Sequence, residues 1–355
     1  MTEIRMGLIG AGVIGRRHIK AMQAVPAMKL VAIADPAETS AGLAAEQGAS
    51  HWPDASAMLA GETLDAVIIA TPTDRHHEDA IACLDAGLAL LIEKPVTATL
   101  DQADAIVSRA EAAGLVVLVG HQRRYYPAVA EARRLIDSGR IGRLMGVSGV
   151  WMTRKHDAYF SPPWRHRVAA GPVLTNLIHE IDLLRFLCGE ITMVSAMVSH
   201  ADMKLEKEDI AAMVLGFANG AVGNFLLSDR TPSPWGWEFA TGENAAFPRS
   251  GQNAVRFFGT DAALDFPNLE LWQHDRPAKT AVAVEEGGGN WQMPLSKTVR
   301  DTPMIDAYIA QLEHLAAVLR GSEAPLITAA DARASLAATL AVLTSATTGR
   351  HETPG

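Results

Sequence analysis

"MGLIGAGVIGRRHIKAMQAV", residues 6–25, joins a short apolar run to a helical pattern through Gly10-Ala11-Gly12-Val13-Ile14-Gly15. The run before the glycines reads as a buried strand, and the periodic apolar residues after them read as a helix. Each glycine has its own physical use. Gly10 permits the tight turn, Gly12 lets backbone N–H groups approach a pyrophosphate, and Gly15 lets helix and strand pack closely. The helix N-terminus then stabilises phosphate charge. Asp35 ends the next apolar run, about 20 residues on, where a carboxylate can accept hydrogen bonds from the adenosine ribose hydroxyls. A carboxylate there would repel a 2'-phosphate, so NAD is the expected cofactor and NADP the less favoured one. Arg16 and Arg17, on the first helix, soften that preference if they face the phosphate rather than solvent.

Outward from this stretch, apolar runs at 30–34, 66–70, 89–92 and 115–119 alternate with helical patterns at 39–47, 77–86 and 101–113. Strict alternation of strand and helix predicts βαβ units and a parallel sheet covered on both faces. After Gly120 the pattern changes to a helix over 128–137, a run over 144–152 and a Pro/Arg/aromatic loop over 154–172. A helix over 174–187 and strands near 194–199, 210–217, 221–227, 255–258 and 270–273 follow. Two Ala-rich helices, 304–319 and 331–347, close the chain, and 232–252 and 287–289 read as loops. The expected fold is an α/β Rossmann domain (a doubly wound parallel sheet) followed by an α+β domain with a large, mostly antiparallel sheet. The expected boundaries are 1–122 for the nucleotide domain, 123–330 for the substrate domain and 331–355 for the closing helix and tail.

With 355 residues, 48% of them hydrophobic, the chain can bury the cores of two domains. A formal net charge of -9 and a pI near 5.7 argue against a nucleic-acid or anionic-membrane partner, which leaves a small-molecule substrate. Cys83 and Cys188 lie in apolar helical patterns, so neither a disulfide framework nor a Cys-based zinc site is expected, and the histidines show no metal-ligand spacing. No signal-peptide pattern opens the sequence and no apolar stretch reaches membrane-spanning length, so the expected location is the cytoplasm.

Two of the apolar runs stop abruptly, one at Thr71-Pro72 and the other at Glu93-Lys94-Pro95. In an open parallel sheet ligands bind beyond the carboxyl ends of the strands, so both stops face the cofactor. Taken alone, Lys94 has two readings, a reactive amine or a surface lysine paired with Glu93. The glycine loop, Ala70-Thr71-Pro72 with His76, Glu93-Lys94-Pro95, Gly120-His121, and Gly171-Pro172 leading to His179 and Asp182 together resemble the Gfo/Idh/MocA oxidoreductases over nearly the whole chain. The resemblance implies a dehydrogenase that moves hydride between nicotinamide C4 and a secondary alcohol, usually on a sugar or cyclitol. It implies that Lys94 contacts the reacting hydroxyl, that the Lys94-Pro95 bond is often cis, and that the second sheet packs against another subunit in a homodimer or homotetramer. The cofactor residues are then Gly10, Gly12, Val13, Ile14, Gly15, Asp35, Thr71, Pro72, His76, Glu93, Lys94 and Gln122. A lysine half-buried beside a cationic ring should release its proton more readily, which suits it to acid–base work.

Helical spacing places Thr175, His179 and Asp182 on one face. His179 is the second acid–base candidate and Asp182 the partner of its imidazole. The family pattern implies an aspartate four residues before this histidine, and here that position is Thr175, which cannot carry a proton or a charge. Thr175 or Asn176 is then left to orient the substrate while Lys94 and His179 move the proton. Arg123, Tyr125, Tyr159, Trp164 and Arg165, with Arg154, Lys155 and Arg167 nearby, make a basic, aromatic segment. That composition suits an anionic sugar or sugar acid, because guanidinium pairs bidentately with carboxylate, sulfonate or phosphate and aromatic faces stack on rings. Two other readings stay open: redox-neutral glycoside cleavage in which the hydride returns, and a non-catalytic NAD(H) sensor.

Overall fold

Strand β1 (Ile4–Ile9) buries every residue but Arg5, as a strand covered on both faces must. It lies inside a six-stranded sheet of order β3-β2-β1-β4-β5-β6, with β2 (Met28–Ala34), β3 (Ser50–Trp52), β4 (Ala66–Ile69), β5 (Ala89–Ile92) and β6 (Val117–Val119). Every pairing in this sheet is parallel. The strand order reverses between β1 and β4, which is the switch point where open sheets of this kind bind ligands.

The computed structural model describes residues 3–275 and 291–355, which divide into two units: Met1–Tyr125 with Ile305–Ala337, and Tyr126–Met304 with Ala338–Gly355. In the first unit, helix α1 (Val13–Met22) buries Gly15, His18, Ile19, Ala21 and Met22, a stripe at helical spacing. Helices α2 (Thr39–Glu46), α3 (Ala55–Gly61), α4 (Thr73–Asp85) and α5 (Leu100–Ala113) make the remaining crossovers. The sequence pattern misses β3 and α3, each too short to show a period; α3 is marked only by Asp54, whose side chain caps it by accepting from the Ala57 N–H at 2.8 Å.

In the second unit, helix α6 (Pro127–Asp137) precedes β7 (Leu144–Met152), and helix α7 (Ile178–Cys188) precedes β8 (Ile191–Ser199). Strands β9 (Ile210–Phe217) and β10 (Val222–Ser228) and the short helix α8 (Trp237–Thr241) come next. Strands β11 (Val255–Gly259), β12 (Ala263–Phe266), β13 (Glu270–His274) and β14 (Leu295–Val299) complete an eight-stranded sheet of order β14-β13-β12-β11-β7-β10-β9-β8. Neighbours run antiparallel except β7 and β10, as the run of successive strands predicts. One face of this sheet exposes Met197, Val214, Val222 and Phe258. The stretch 232–252, expected to be all loop, contains α8, whose Trp237 is buried against Tyr126 and Phe266. The run 287–289 lies outside the described residues.

The chain ends with α9 (Ala307–Leu319) and α10 (Ala329–Thr348). Leu312, Leu315 and Ala316 of α9 join the core formed by Met6, Leu8, Ile19, Ile33 and Ile68, so α9 belongs to the nucleotide-side unit although it comes late in the chain. Among the described residues no helix is long and apolar enough to cross a membrane.

Candidate active site

The glycine loop is shaped by close backbone contacts. Gly10 has φ 90°, and a Cβ there would lie 2.7 Å from the Ala70 carbonyl, so only glycine suits the turn. A Cβ on Gly15 would lie 2.0 Å from the Gly10 oxygen, which forces a glycine where α1 folds back on β1. Gly12 has open space beside it, and α1 starts without a side-chain cap or an acidic residue in its first turn. Unclaimed N–H groups, positive dipole and open space together fit a pyrophosphate. Val13 and Ile14 are exposed at the same corner.

Asp35 follows β2 and ties the loop to it. Its Oδ2 accepts from the Ala11 N–H at 2.7 Å, and its Oδ1 accepts from the Ala37 N–H and the Ser40 hydroxyl, each at 2.9 Å. Burial works against its ionisation, but the backbone bonds from Ala11 and Ala37, the Ser40 bond and the charge of His51 outweigh that and hold the carboxyl below its usual range. Three of about four acceptor positions on the carboxylate are thus used inside the protein, leaving Oδ2 able to take one ribose hydroxyl. Asp35→Asn should lower the ratio of NADP to NAD dissociation constants by about tenfold, because it removes the charge that repels a 2'-phosphate. Titrating the purified variant with both dinucleotides measures that ratio, and an unchanged value would remove Asp35 from cofactor choice.

At the end of β4, the Thr71 hydroxyl donates to Asp79 at 2.9 Å and Pro72 opens α4. His76 is buried, and its ring nitrogens lie 2.9 Å from the Pro95 and Thr71 carbonyls. It laces the ends of β4 and β5 together, which leaves neither nitrogen for a ligand. Beyond β5, Glu93 is buried, Lys94 is half-buried and the Lys94-Pro95 bond is cis. Glu93 is paired not with Lys94 alone but with His18 of α1, whose Nε2 lies 2.8 Å from Oε1. Burial opposes its ionisation, but the hydrogen bond from His18 and the neighbouring Lys94 hold the Glu93 carboxyl below the ordinary range. In the sequence His18 reads as an ordinary histidine, since nothing local links two positions so far apart. Gln122 is buried in a 3-10 turn after β6.

In the second unit, His179, Glu180 and Asp182 are all buried on α7. The helix expected from residue 174 begins differently: Val173–Leu177 forms a π turn before α7 starts at Ile178. Helical spacing therefore relates His179 to Asp182 but not back to Thr175, where the turn is wider. The Thr175 hydroxyl lies 2.9 Å from the Gly171 carbonyl, the kind of local side-chain bond that competes with helix geometry. Glu208 fits under the same turn and accepts from the Val173 N–H at 2.7 Å, and a Cβ on Gly171 would collide with its carboxyl. Lys155 reaches this turn, with Nζ 3.3 Å from Asn176 Oδ1 and 3.4 Å from Asp229 Oδ2.

Arg154 of the basic segment, and Arg124 and Arg230 outside it, are neutralised internally. Arg124 pairs with Asp331 at 2.5 Å, Arg230 with Asp202 at 2.6 Å and Asp157 at 3.2 Å, and Arg154 with Asp157 at 3.6 Å. Arg123 is buried, and Tyr125 packs on His314 of α9 with ring centroids 5.4 Å apart. Arg165 differs: its guanidinium stacks on Tyr159 at 3.7 Å and Trp164 at 4.9 Å, and its NH1 donates to the Tyr159 carbonyl. Among the described residues no carboxylate pairs with it, and Trp164 beside it is exposed.

A doubly wound sheet carrying this glycine loop, an acid after its second strand and an uncapped helix N-terminus defines a dinucleotide-binding protein. Residues 4–121 match the profile of an oxidoreductase family with an NAD-binding Rossmann fold, and residues 129–265 match the GFO/IDH/MocA C-terminal domain. The chain belongs to the Gfo/Idh/MocA oxidoreductases, a family that includes NAD-dependent sugar and polyol dehydrogenases. It is 29% identical to the scyllo-inositol 2-dehydrogenase (NAD(+)) of Bacillus subtilis over 357 residues, which cover 97% of this chain and 94% of that one. It is 30% identical to the UDP-N-acetylglucosamine 3-dehydrogenase of Acidithiobacillus ferrooxidans over 288 residues, 80% and 81% of the two chains. In fold it is similar to an oxidoreductase from Agrobacterium radiobacter solved with NAD+, L-tartaric acid and magnesium, with a TM-score of 0.82, 20% identity and coverage of 100% and 99%.

Proposed function

We propose that the protein is an NAD-dependent dehydrogenase that oxidises a secondary alcohol of a sugar, sugar acid or cyclic polyol, with an anionic substituent preferred. The observation that carries this reading is the half-buried Lys94, set at the carboxyl end of β5 in the same unit as the glycine loop and Asp35. The loop glycines, the α1 N-terminus and Asp35 would hold the dinucleotide. When bound, NAD+ supplies a hydride acceptor at nicotinamide C4.

Lys94 contacts the substrate hydroxyl and takes its proton as the carbinol carbon loses hydride and becomes a carbonyl. His179 passes that proton on, with Asp182 orienting its imidazole. Thr175 and Asn176 hold neighbouring hydroxyls. Thr175 is a poor proton carrier, and its bond to the Gly171 carbonyl suits it to position rather than transfer. The preference for an anion rests on Arg165, whose charge is stacked on aromatic rings rather than matched by an acid.

The test is reduced-nicotinamide absorbance after mixing protein and NAD+ with neutral sugars, inositols, uronic acids, sulfosugars and glycosides. Net reduction with a secondary alcohol is expected, strongest with an acidic member. Silence across the panel from a protein that binds NAD+ would replace this reading with internal hydride return or a sensor. Reduction only by neutral members would remove Arg165 from substrate choice.

A further inference from the structure

His18 is fully buried, and the carboxylate it bonds is held from three sides. Glu93 Oε1 meets His18 Nε2 at 2.8 Å, Oε2 accepts the Lys94 N–H at 3.2 Å, and a Cβ on Gly120 would lie 3.0 Å from the carboxyl carbon and both oxygens. Nδ1 of His18 has no hydrogen-bond partner among the described residues, and the ring edge packs on Tyr308 of α9 at 5.2 Å. A second proton on Nδ1 would be a buried donor with nothing to receive it, so the ring is suited to donating from Nε2 to Glu93. Arg17, a cation on the same helix, stacks on Tyr308 at 4.7 Å and is matched by Asp306 at 2.5 Å. The arrangement therefore holds the Glu93 carboxylate as a buried negative charge at the end of β5, directly before Lys94, whose charge helps keep it ionised.

We propose that His18 is a positioning residue that holds the Glu93 carboxylate against the Lys94 backbone, and that this fixed charge makes the site favour oxidised, cationic nicotinamide over the reduced form. The inference rests on the dehydrogenase reading of the β5 terminus. NAD+ and NADH differ by one positive charge on the ring, and ligands of an open parallel sheet lie beyond its strand ends. A buried anion there discriminates between the two, whereas a buried neutral acid does not. Without the His18 donor, the carboxylate would lose the side-chain hydrogen bond that favours its charged form and would take up a proton more readily in its buried setting.

The readout is the pair of dissociation constants for NADH, by its fluorescence, and for NAD+, by competition, in the absence of any substrate. His18→Leu and Glu93→Gln should each lower the ratio of the NADH constant to the NAD+ constant by about five- to tenfold, chiefly by weakening NAD+. His18→Gln, whose amide nitrogen reaches the position of Nε2, should restore the ratio. Glu93→Gln is nearly isosteric and carries the test if His18→Leu does not fold. Equal weakening of both forms, or ratios within about twofold of the parent in both variants, would overturn the inference, since a residue that only supports the fold affects the two alike. A parent protein that binds neither form would instead overturn the cofactor reading itself.

Discussion

Lys94→Ala should lower turnover by about a thousandfold while leaving the NAD+ dissociation constant within about threefold of the parent, because a positioned acid–base group contributes about 10²–10⁴ in rate. His179→Ala should cost about a hundredfold on the same grounds. The double variant tells more than either single one. If both residues handle one proton, removing the second after the first costs little, and the double loss should sit close to that of Lys94→Ala. Independent roles would multiply instead. Lys94→Arg separates charge from proton transfer: guanidinium keeps the positive charge beside Glu93 but does not give up a proton near neutrality, so its turnover should stay close to the alanine level. Turnover in Lys94→Ala within tenfold of the parent would remove Lys94 from the chemistry.

Which parts of this site the sequence reveals follows from how the chain stores them. Gly10 and Gly15 are legible because the constraint is on the backbone at one turn, where a Cβ would meet the Ala70 carbonyl or the Gly10 oxygen, and only one residue type satisfies it. Lys94 is legible because a buried strand that ends on charged residues contradicts its own apolar pattern. The partner of Glu93 is not, because His18 lies on another element and bonds made 75 residues apart leave no periodic trace. The arginines show the same limit from the other side. The basic segment suggests a cationic pocket, yet Arg154 meets Asp157, and the nearby Arg124 and Arg230 meet acids at positions 331 and 202 that only the fold brings near. The π turn at Val173–Leu177 has no local signature either, since its support comes from Glu208 beneath Gly171 and Val173.

Lys207→Met should destabilise the second unit by about 3–5 kcal/mol, the usual penalty for breaking a buried ion pair by removing one partner. Lys207 is fully buried, and its Nζ lies 3.0 Å from Asp229 Oδ1, 3.0 Å from the Glu208 carbonyl and 3.8 Å from Asp209 Oδ1. Asp229 is also fully buried and, among the described residues, would keep Lys155, at 3.4 Å, as its cation. Burial already pushes the Glu208 carboxyl up, and Lys207 is among the groups that restrain that shift. Removing the lysine thus strands charge rather than opening a cavity, since methionine nearly matches its volume. Adding Asp229→Leu should recover much of the loss, because replacing both members of a buried pair by apolar groups is often neutral. It would do so at the expense of the site: Asp229 restrains Lys155, and Lys155 bonds Asn176 three residues before His179. The double variant should therefore melt near the parent temperature in calorimetry but show a raised KM, whereas Lys207→Met alone should melt about 10 °C lower. A single variant that melts within about 2 °C of the parent would mean that the buried charges contribute little to folding, and that their role is confined to holding the turn before His179.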